Sequence, residues 1–179
     1  MVAEETGIQG CFVIKPKVFK DFRGSLTKIH HSQSFEDLGL AFDFKEEYFS
    51  ISNKGVIRGL HFQIPPMEHA KCVTCLFGSI FDVAVDLRKS SPTFGKYFSL
   101  IIDSRDPVLL YVPSGMAHGF MALEDDSLFL NRSTTIYSPE CDRGINWNSC
   151  GIEWPEIEMK ISEKDLNMPE LKDFNSPFL

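Results

Sequence analysis

The chain has 179 residues, 43% of them hydrophobic and 24% charged, the profile of one soluble globular domain. Its formal net charge of −7 sets the overall field against nucleic acid and anionic membrane, so neither is an expected partner and an anionic substrate needs a local basic site. No apolar run approaches the length of a membrane span, and the acidic start MVAEET is no signal peptide, which points to the cytoplasm.

In chain order, residues 11–19 are apolar and β-rich, 21–24 (DFRG) read as a turn, and 25–31 as a second extended piece. Residues 34–40 form the best helical candidate before the C-terminal region, with a serine start, an acidic first turn and Gly39 as the stop. Extended pieces follow near 44–52, 56–63, 70–76, 79–87, 96–102, 108–112, 117–123 and 127–136, many bounded by Gly, Pro, Asn, Asp or Ser. Short strands in series without βαβ spacing predict an all-β sandwich or barrel. The pattern changes near residue 156, where Ser162 to Asp165 can open a short helix and the tail is expected to pack on the barrel. With no linker, repeat or low-complexity tract, residues 1–179 read as a single domain.

Five cysteines in a chain without a signal argue for free thiols. Cys72 and Cys75 form a CxxC, but no second pair has zinc-ribbon spacing. The pair lies in a strand rather than at a helix start, and residues three apart on a strand face opposite ways. Two unrelated buried thiols are expected.

The segment 55–63 (GVIRGLHFQ), followed by HAK at 69–71, gathers Arg58, His61 and Lys71 among residues that otherwise read as strand. A guanidinium suits phosphate, an imidazole titrates near neutral pH, and an ammonium can hold an oxyanion. That set fits proton removal beside a carbonyl on a phosphorylated substrate. No GxGxxG follows a strand, so no nicotinamide site is expected.

Residues 113–118 (PSGMAH) have the form PxGxxH, which resembles the second motif of the cupin jelly rolls. Many cupins hold a metal there with an HxH pair. Here His61 is followed by Phe62 and Gln63, too few imidazoles for a metal, so none is expected. The ordered set DFRG, 55–63, AK at 70–71, DVAVDLR at 82–88, SPTFG at 91–95, VPSGMAHGF at 112–120, YSPE at 137–140 and IEWP at 152–155 resembles the dTDP-4-dehydrorhamnose 3,5-epimerase family, over residues 11–171. The resemblance implies an all-β cupin jelly roll with short peripheral helices. It also implies a cofactor-free homodimer that inverts C3 and/or C5 of a nucleoside-diphosphate 4-keto-6-deoxysugar.

Residue by residue, the resemblance makes His61 the base, Asp165 the carboxylate that orients it, and Lys71 the support of the enolate oxygen, with Asp82 as an acid beside that lysine. Arg58 becomes a pyrophosphate ligand, Arg23 a phosphate contact supplied by the partner subunit, and Ser50 a further donor. Gln63, His118 and Tyr137 are substrate-side residues, with a structural histidine and a strand-end aromatic as the competing readings of the last two. Asp86 and Arg88 read as a strand-end ion pair.

Three positions depart from the family pattern. Asn131 stands where a tyrosine is usual, and an amide supplies no proton at neutral pH. This favours inversion at one carbon. Lys28 replaces an acid at the nucleotide edge, with Leu26 in place of a phenylalanine. An ammonium only donates, which suits a base rich in acceptors, such as cytosine or guanine, over thymine; the competing reading points Lys28 at solvent. Glu46, Glu47 and Tyr48 replace amide or other polar residues, Tyr48 an asparagine. A 3,4-ketoisomerase and a non-catalytic sugar-nucleotide-binding cupin are the alternative readings.

Overall fold

The expected series of short strands folds into two facing sheets in the computed structural model, which describes residues 1–41 and 43–179. The strands are β1 (Val2–Glu5), β2 (Phe12–Lys15), β3 (Lys17–Asp21), β4 (Gly24–Lys28), β5 (Glu46–Ser52), β6 (Val56–Gln63), β7 (Lys71–Phe77), β8 (Ser79–Asp86), β9 (Tyr97–Asp103), β10 (Leu109–Val112), β11 (Met116–Ala122), β12 (Ser127–Ser133), β13 (Asp142–Gly144) and β14 (Lys160–Ile161). One sheet runs β1-β2-β10-β7-β12-β5. The other runs β13-β6-β11-β8-β9, with β14 alongside β6. Helices α1 (Ser32–Asp37) and α2 (Glu163–Leu166) are short and peripheral. The architecture is a cupin jelly roll.

Three apolar clusters hold it together. Val73, Cys75, Ala84, Leu110, Phe120 and Phe129 fill the space between the sheets. The chain's last residues cover the outer face of the second sheet, where Phe178 joins Leu60, Phe62 and Val85, and the Ser176 hydroxyl donates to the Leu87 carbonyl at 2.5 Å. Helix α1 covers the first sheet through Phe35, whose full burial against Ile14 and Leu109 contributes roughly 1.5–3 kcal/mol. Cys75 faces the inner cluster and Cys72 the outer one, as their spacing predicts, and burial pushes the two thiols up to about 11 and about 12. Asp86 and Arg88 form their ion pair at 2.8 Å.

Several boundaries differ from those read in the sequence. The strand expected over 11–19 breaks at Pro16, which has no N–H for the ladder, and β3 leaves to pair with β4 alone. The helix begins at Ser32, ahead of the expected start, and Gly39 follows it at φ +66°. β12 stops at Ser133. β1, β13 and β14 carried too few residues or too much charge to show a period.

One irregularity positions the chemistry. On a regular strand Arg58 and His61 would face opposite ways. Here His61 lies opposite His118 while Arg58 lies opposite Phe120, so β6 carries an extra residue against β11. This bulge turns both side chains inward, and both line one cavity. Gly59 permits it: its φ is +139°, and a Cβ there would lie 2.5 Å from the Gly119 Cα. An isolated glycine inside a strand pattern is the sequence signal for such a feature.

Gly59→Ala is expected to cost roughly 1–3 kcal/mol through the backbone conformation alone, with the clash added to that. Gly151→Ala, also at positive φ but in open space, should cost less. Urea denaturation checks the pair; equal midpoints for both variants would show that the bulge relaxes freely.

Candidate active site

The cavity opens between the sheets in two joined lobes of about 560 and 230 Å³. Arg58, His61 and His118 reach the larger lobe from the second sheet, and Tyr48, Ser50 and Lys71 from the first. Tyr48, His61, Lys71 and Lys164 line both lobes.

His61 Nε2 lies 2.7 Å from Asp165 Oδ1, and the Gly59 amide donates to Oδ2 at 3.4 Å. Ser162 caps α2, its hydroxyl accepting from the Asp165 amide at 3.1 Å. Burial works against the Asp165 charge, but the His61 and Gly59 hydrogen bonds outweigh it and hold the carboxyl below its usual range. A carboxylate only accepts, so Nε2 carries the proton and the lone pair falls on Nδ1. Nδ1 has no hydrogen-bond partner among the described residues.

Lys71 donates to the His61 carbonyl at 2.9 Å and is buried in the opposite sheet. Burial lowers its pKa to about 8; the charges of Asp142 and Asp82 pull the other way. Asp82, expected as an acid beside Lys71, is near enough for its charge to act on the ammonium, but its hydrogen bonds go elsewhere. It accepts from His118 Nε2, with its two oxygens at 3.0 and 3.1 Å. The register of β8 against β11 sets Asp82 opposite Phe120, two residues from His118 on the same face, so the nearest donor is the imidazole.

The other expected residues divide. Arg58 and Ser50 line the larger lobe; Arg58 Nε donates to the Ser52 hydroxyl at 3.0 Å, and the Ser50 hydroxyl has no partner among the described residues. Asn131, Gln63 and Tyr137 line the smaller lobe. Asn131 is buried, and its Oδ1 is unpaired among the described residues. The Gln63 amide is taken up by the chain itself: it donates to the Met67 and Ile136 carbonyls and accepts from the Ser138 amide. Arg23 and Lys28 are not brought to the cavity. They sit on the exposed β3–β4 hairpin, where Arg23 pairs with Asp21 at 2.6 Å. Sequence reasoning missed Asp142, which lines the smaller lobe and pairs with Lys164 at 2.7 Å, and Lys160 at the larger lobe. Both lie on strands too short to show a pattern. Among the described residues no three His, Cys, Asp or Glu side chains converge as metal ligands would. Among the described residues no helix is long and apolar enough to cross a membrane.

A histidine–carboxylate pair facing a buried ammonium inside a jelly roll suits moving a proton next to a developing oxyanion, and comparison with known proteins gives the family. Residues 5–173 match the family model described as dTDP-4-dehydrorhamnose 3,5-epimerase. The chain is 40% identical over 172 residues to the Shigella flexneri enzyme of that name, covering 94% of this chain and 95% of that one. It superposes with a TM-score of 0.93 and 34% identity on the Legionella pneumophila epimerase crystallised with dTDP-4-keto-L-rhamnose, covering 97% and 94% of the two chains. A 3'-monoepimerase from Streptomyces bikiniensis, solved with dTDP-quinovose, gives a TM-score of 0.89 and 30% identity over 93% and 86%. This chain belongs to the dTDP-4-dehydrorhamnose 3,5-epimerase family and is an isomerase, a sugar epimerase.

Because the Lys71 ammonium loses its proton as pH rises through about 8, epimerisation should fall on the alkaline side at that pH. Lys71→Arg, whose guanidinium stays charged, should remove that limb from whatever activity it retains. A pH–rate profile of both proteins checks this; an alkaline limb unmoved by the substitution would assign it to another group.

Proposed function

We propose that this protein inverts one carbon beside the ketone of a nucleoside-diphosphate 4-keto-6-deoxysugar, working as a homodimer. The observation that carries the reading is the Asp165-locked imidazole of His61 and the Lys71 ammonium on opposite walls of one cavity. His61 Nδ1 takes the proton from carbon. The C–H electrons pass into the enolate, and the charge that develops on the former ketone oxygen is held by Lys71. The imidazolium so formed is stabilised by Asp165. Arg58, Ser50 and Lys160 hold the pyrophosphate at the larger lobe; His118 and Tyr137 border the sugar and base. Asp82 keeps His118 oriented and adds negative charge near Lys71. Asn131 has no acidic proton to give, which favours one carbon over two. The ligands in the solved relatives, dTDP-4-keto-L-rhamnose and dTDP-quinovose, support a nucleotide-sugar substrate.

The β3–β4 hairpin supports the dimer. A two-stranded hairpin is marginal alone, and this one leaves Phe19, Phe22 and Leu26 exposed. Packed on a second copy, it covers those side chains and carries Arg23 to the partner's pyrophosphate and Lys28 to the base. An ammonium there favours a base presenting acceptors, cytosine or guanine, over thymine.

In D2O with a 4-keto sugar nucleotide, the protein should wash deuterium into one carbon next to the ketone and leave the carbonyl at C4. His61→Asn should abolish incorporation while nucleoside-diphosphate binding persists; retained incorporation would show a different base. The shared site has its own check. Arg23→Ala and His61→Asn subunits, each nearly inactive, should regain activity when mixed and allowed to exchange, because one site of each mixed dimer is intact. Mixtures as inactive as their components would rule out a contribution across the interface.

A further inference from the structure

His61 needs a proton donor on the far side of the sugar ring, and Asn131 is not one. The opposite wall offers another group. β5 and β12 pair antiparallel with Tyr48 directly opposite Asn131, so both side chains leave the same face of the sheet. That face points inward: Asn131 is also opposite Val73 of the inner cluster, and Phe129, two residues before it, is opposite Ser50, which lines the cavity. Tyr48 lines both lobes, at their junction, together with His61 and Lys71. His61 comes from the second sheet and Tyr48 from the first, which sets them across the cavity from one another.

The chain has four tyrosines. The hydroxyls of Tyr97 and Tyr111 are tied to backbone amides of Glu153 and Ala41. Tyr137 reaches only the smaller lobe and sits on a loop after β12. The Tyr48 hydroxyl makes no hydrogen bond among the described residues, so nothing in the chain competes with a substrate for it. Partial desolvation in the cavity wall and the neighbouring Glu46 and Asp142 charges raise its pKa, which keeps the phenol protonated at neutral pH.

We propose that Tyr48 is the catalytic acid opposite His61, delivering to the enolate carbon the proton that completes inversion. This rests on the epimerase reading above. The step balances: His61 Nδ1 removes the hydrogen of the C–H bond, the pair left behind forms the enolate, and the Tyr48 O–H then breaks as a new C–H bond forms on the other face. The resulting phenolate takes a proton from water and the imidazolium returns one to water. Because Tyr48 is 48% exposed, that water is at hand. Adjacent strands are about 4.8 Å apart, so a phenol rooted on β5 approaches the ring from a different point than one rooted on β12.

The test is Tyr48→Phe, followed by NMR with a 4-keto sugar nucleotide in D2O. Product inversion should fall by about a hundredfold or more, the scale of a lost general acid, while His61-dependent deuterium uptake continues with retained configuration. That uptake also shows the variant is folded. In a second variant, Tyr48→Asn with Asn131→Tyr, the phenol returns to the inner face one strand away, and inversion should recover at least tenfold over Tyr48→Phe. Inversion at the parental rate in Tyr48→Phe would overturn the assignment while leaving the epimerase intact. No deuterium uptake by the parent protein would overturn the epimerase reading and this assignment together.

Discussion

The extra residue in β6 is the constraint on which the site depends. Without it, the imidazole and the guanidinium three residues earlier would occupy opposite faces of a strand, one in the cavity and one in the apolar cluster under the C-terminal tail. The bulge needs Gly59 in a conformation closed to side chains, packed against the backbone of Gly119. It also frees the Gly59 amide from the ladder to meet Asp165. The short β14 completes the arrangement. It pairs beside the start of β6, Lys160 opposite Val56 and Ile161 opposite Ile57, so the helix that follows begins directly behind the bulge. Residues far apart in sequence thus meet at 2.7 Å by strand pairing rather than by a long flexible approach.

The cavity reverses the charge of the protein around it. The chain is acidic overall, yet Arg58, Lys71, Lys160 and Lys164 converge on the two lobes. Asp165 and Asp142, which line the lobes, are committed to His61 and Lys164, and Asp82 behind the wall is committed to His118. Burial has two opposed effects on Lys71. It weakens the lysine's hold on its own proton, and it strengthens the field the remaining charge exerts. A unit charge about 4 Å from another interacts by about 1 kcal/mol in water and about 4 kcal/mol at the effective dielectric of a protein site. An ammonium poised near pH 8 is therefore a stronger oxyanion partner than an exposed lysine, provided the working pH stays below its pKa.

Much of this was legible in the sequence, for identifiable reasons. Strands of seven or eight residues between turn formers, such as β6, β8 and β11, carry enough alternation and apolar bulk to be read directly, and residues 56–63 match β6 end to end. Arg58, His61 and Lys71 stood out because charged groups are rare inside such strands. What escaped was information held in register. Asp82 was expected beside Lys71, and its charge does act there, but which side chain it hydrogen-bonds is decided by how β8 slides against β11, which no local pattern reports. Asp142 was silent because β13 has three residues. Gln63 looked like a ligand, yet its amide is spent on loop carbonyls that only the folded chain brings near. Arg23 and Lys28 were read as serving a partner subunit's site, and a single chain holds them on a hairpin away from its own cavity.

The two walls of the cavity differ in how freely they can vary. His61 is bound by the bulge, by Asp165 and by the Lys71 contact to its own carbonyl, so any change in its position propagates through three interactions. The β5–β12 wall is a plain antiparallel ladder from residue 46 to 52 against 127 to 133, in unbroken register. On such a ladder, directly opposed positions present side chains to the same space from roots about 5 Å apart. A side chain can reach that space from either root, whereas His61 has no equivalent alternative. On the proposed mechanism, the fixed wall holds the group that takes a proton from carbon, and the adjustable wall sets the point from which one is returned.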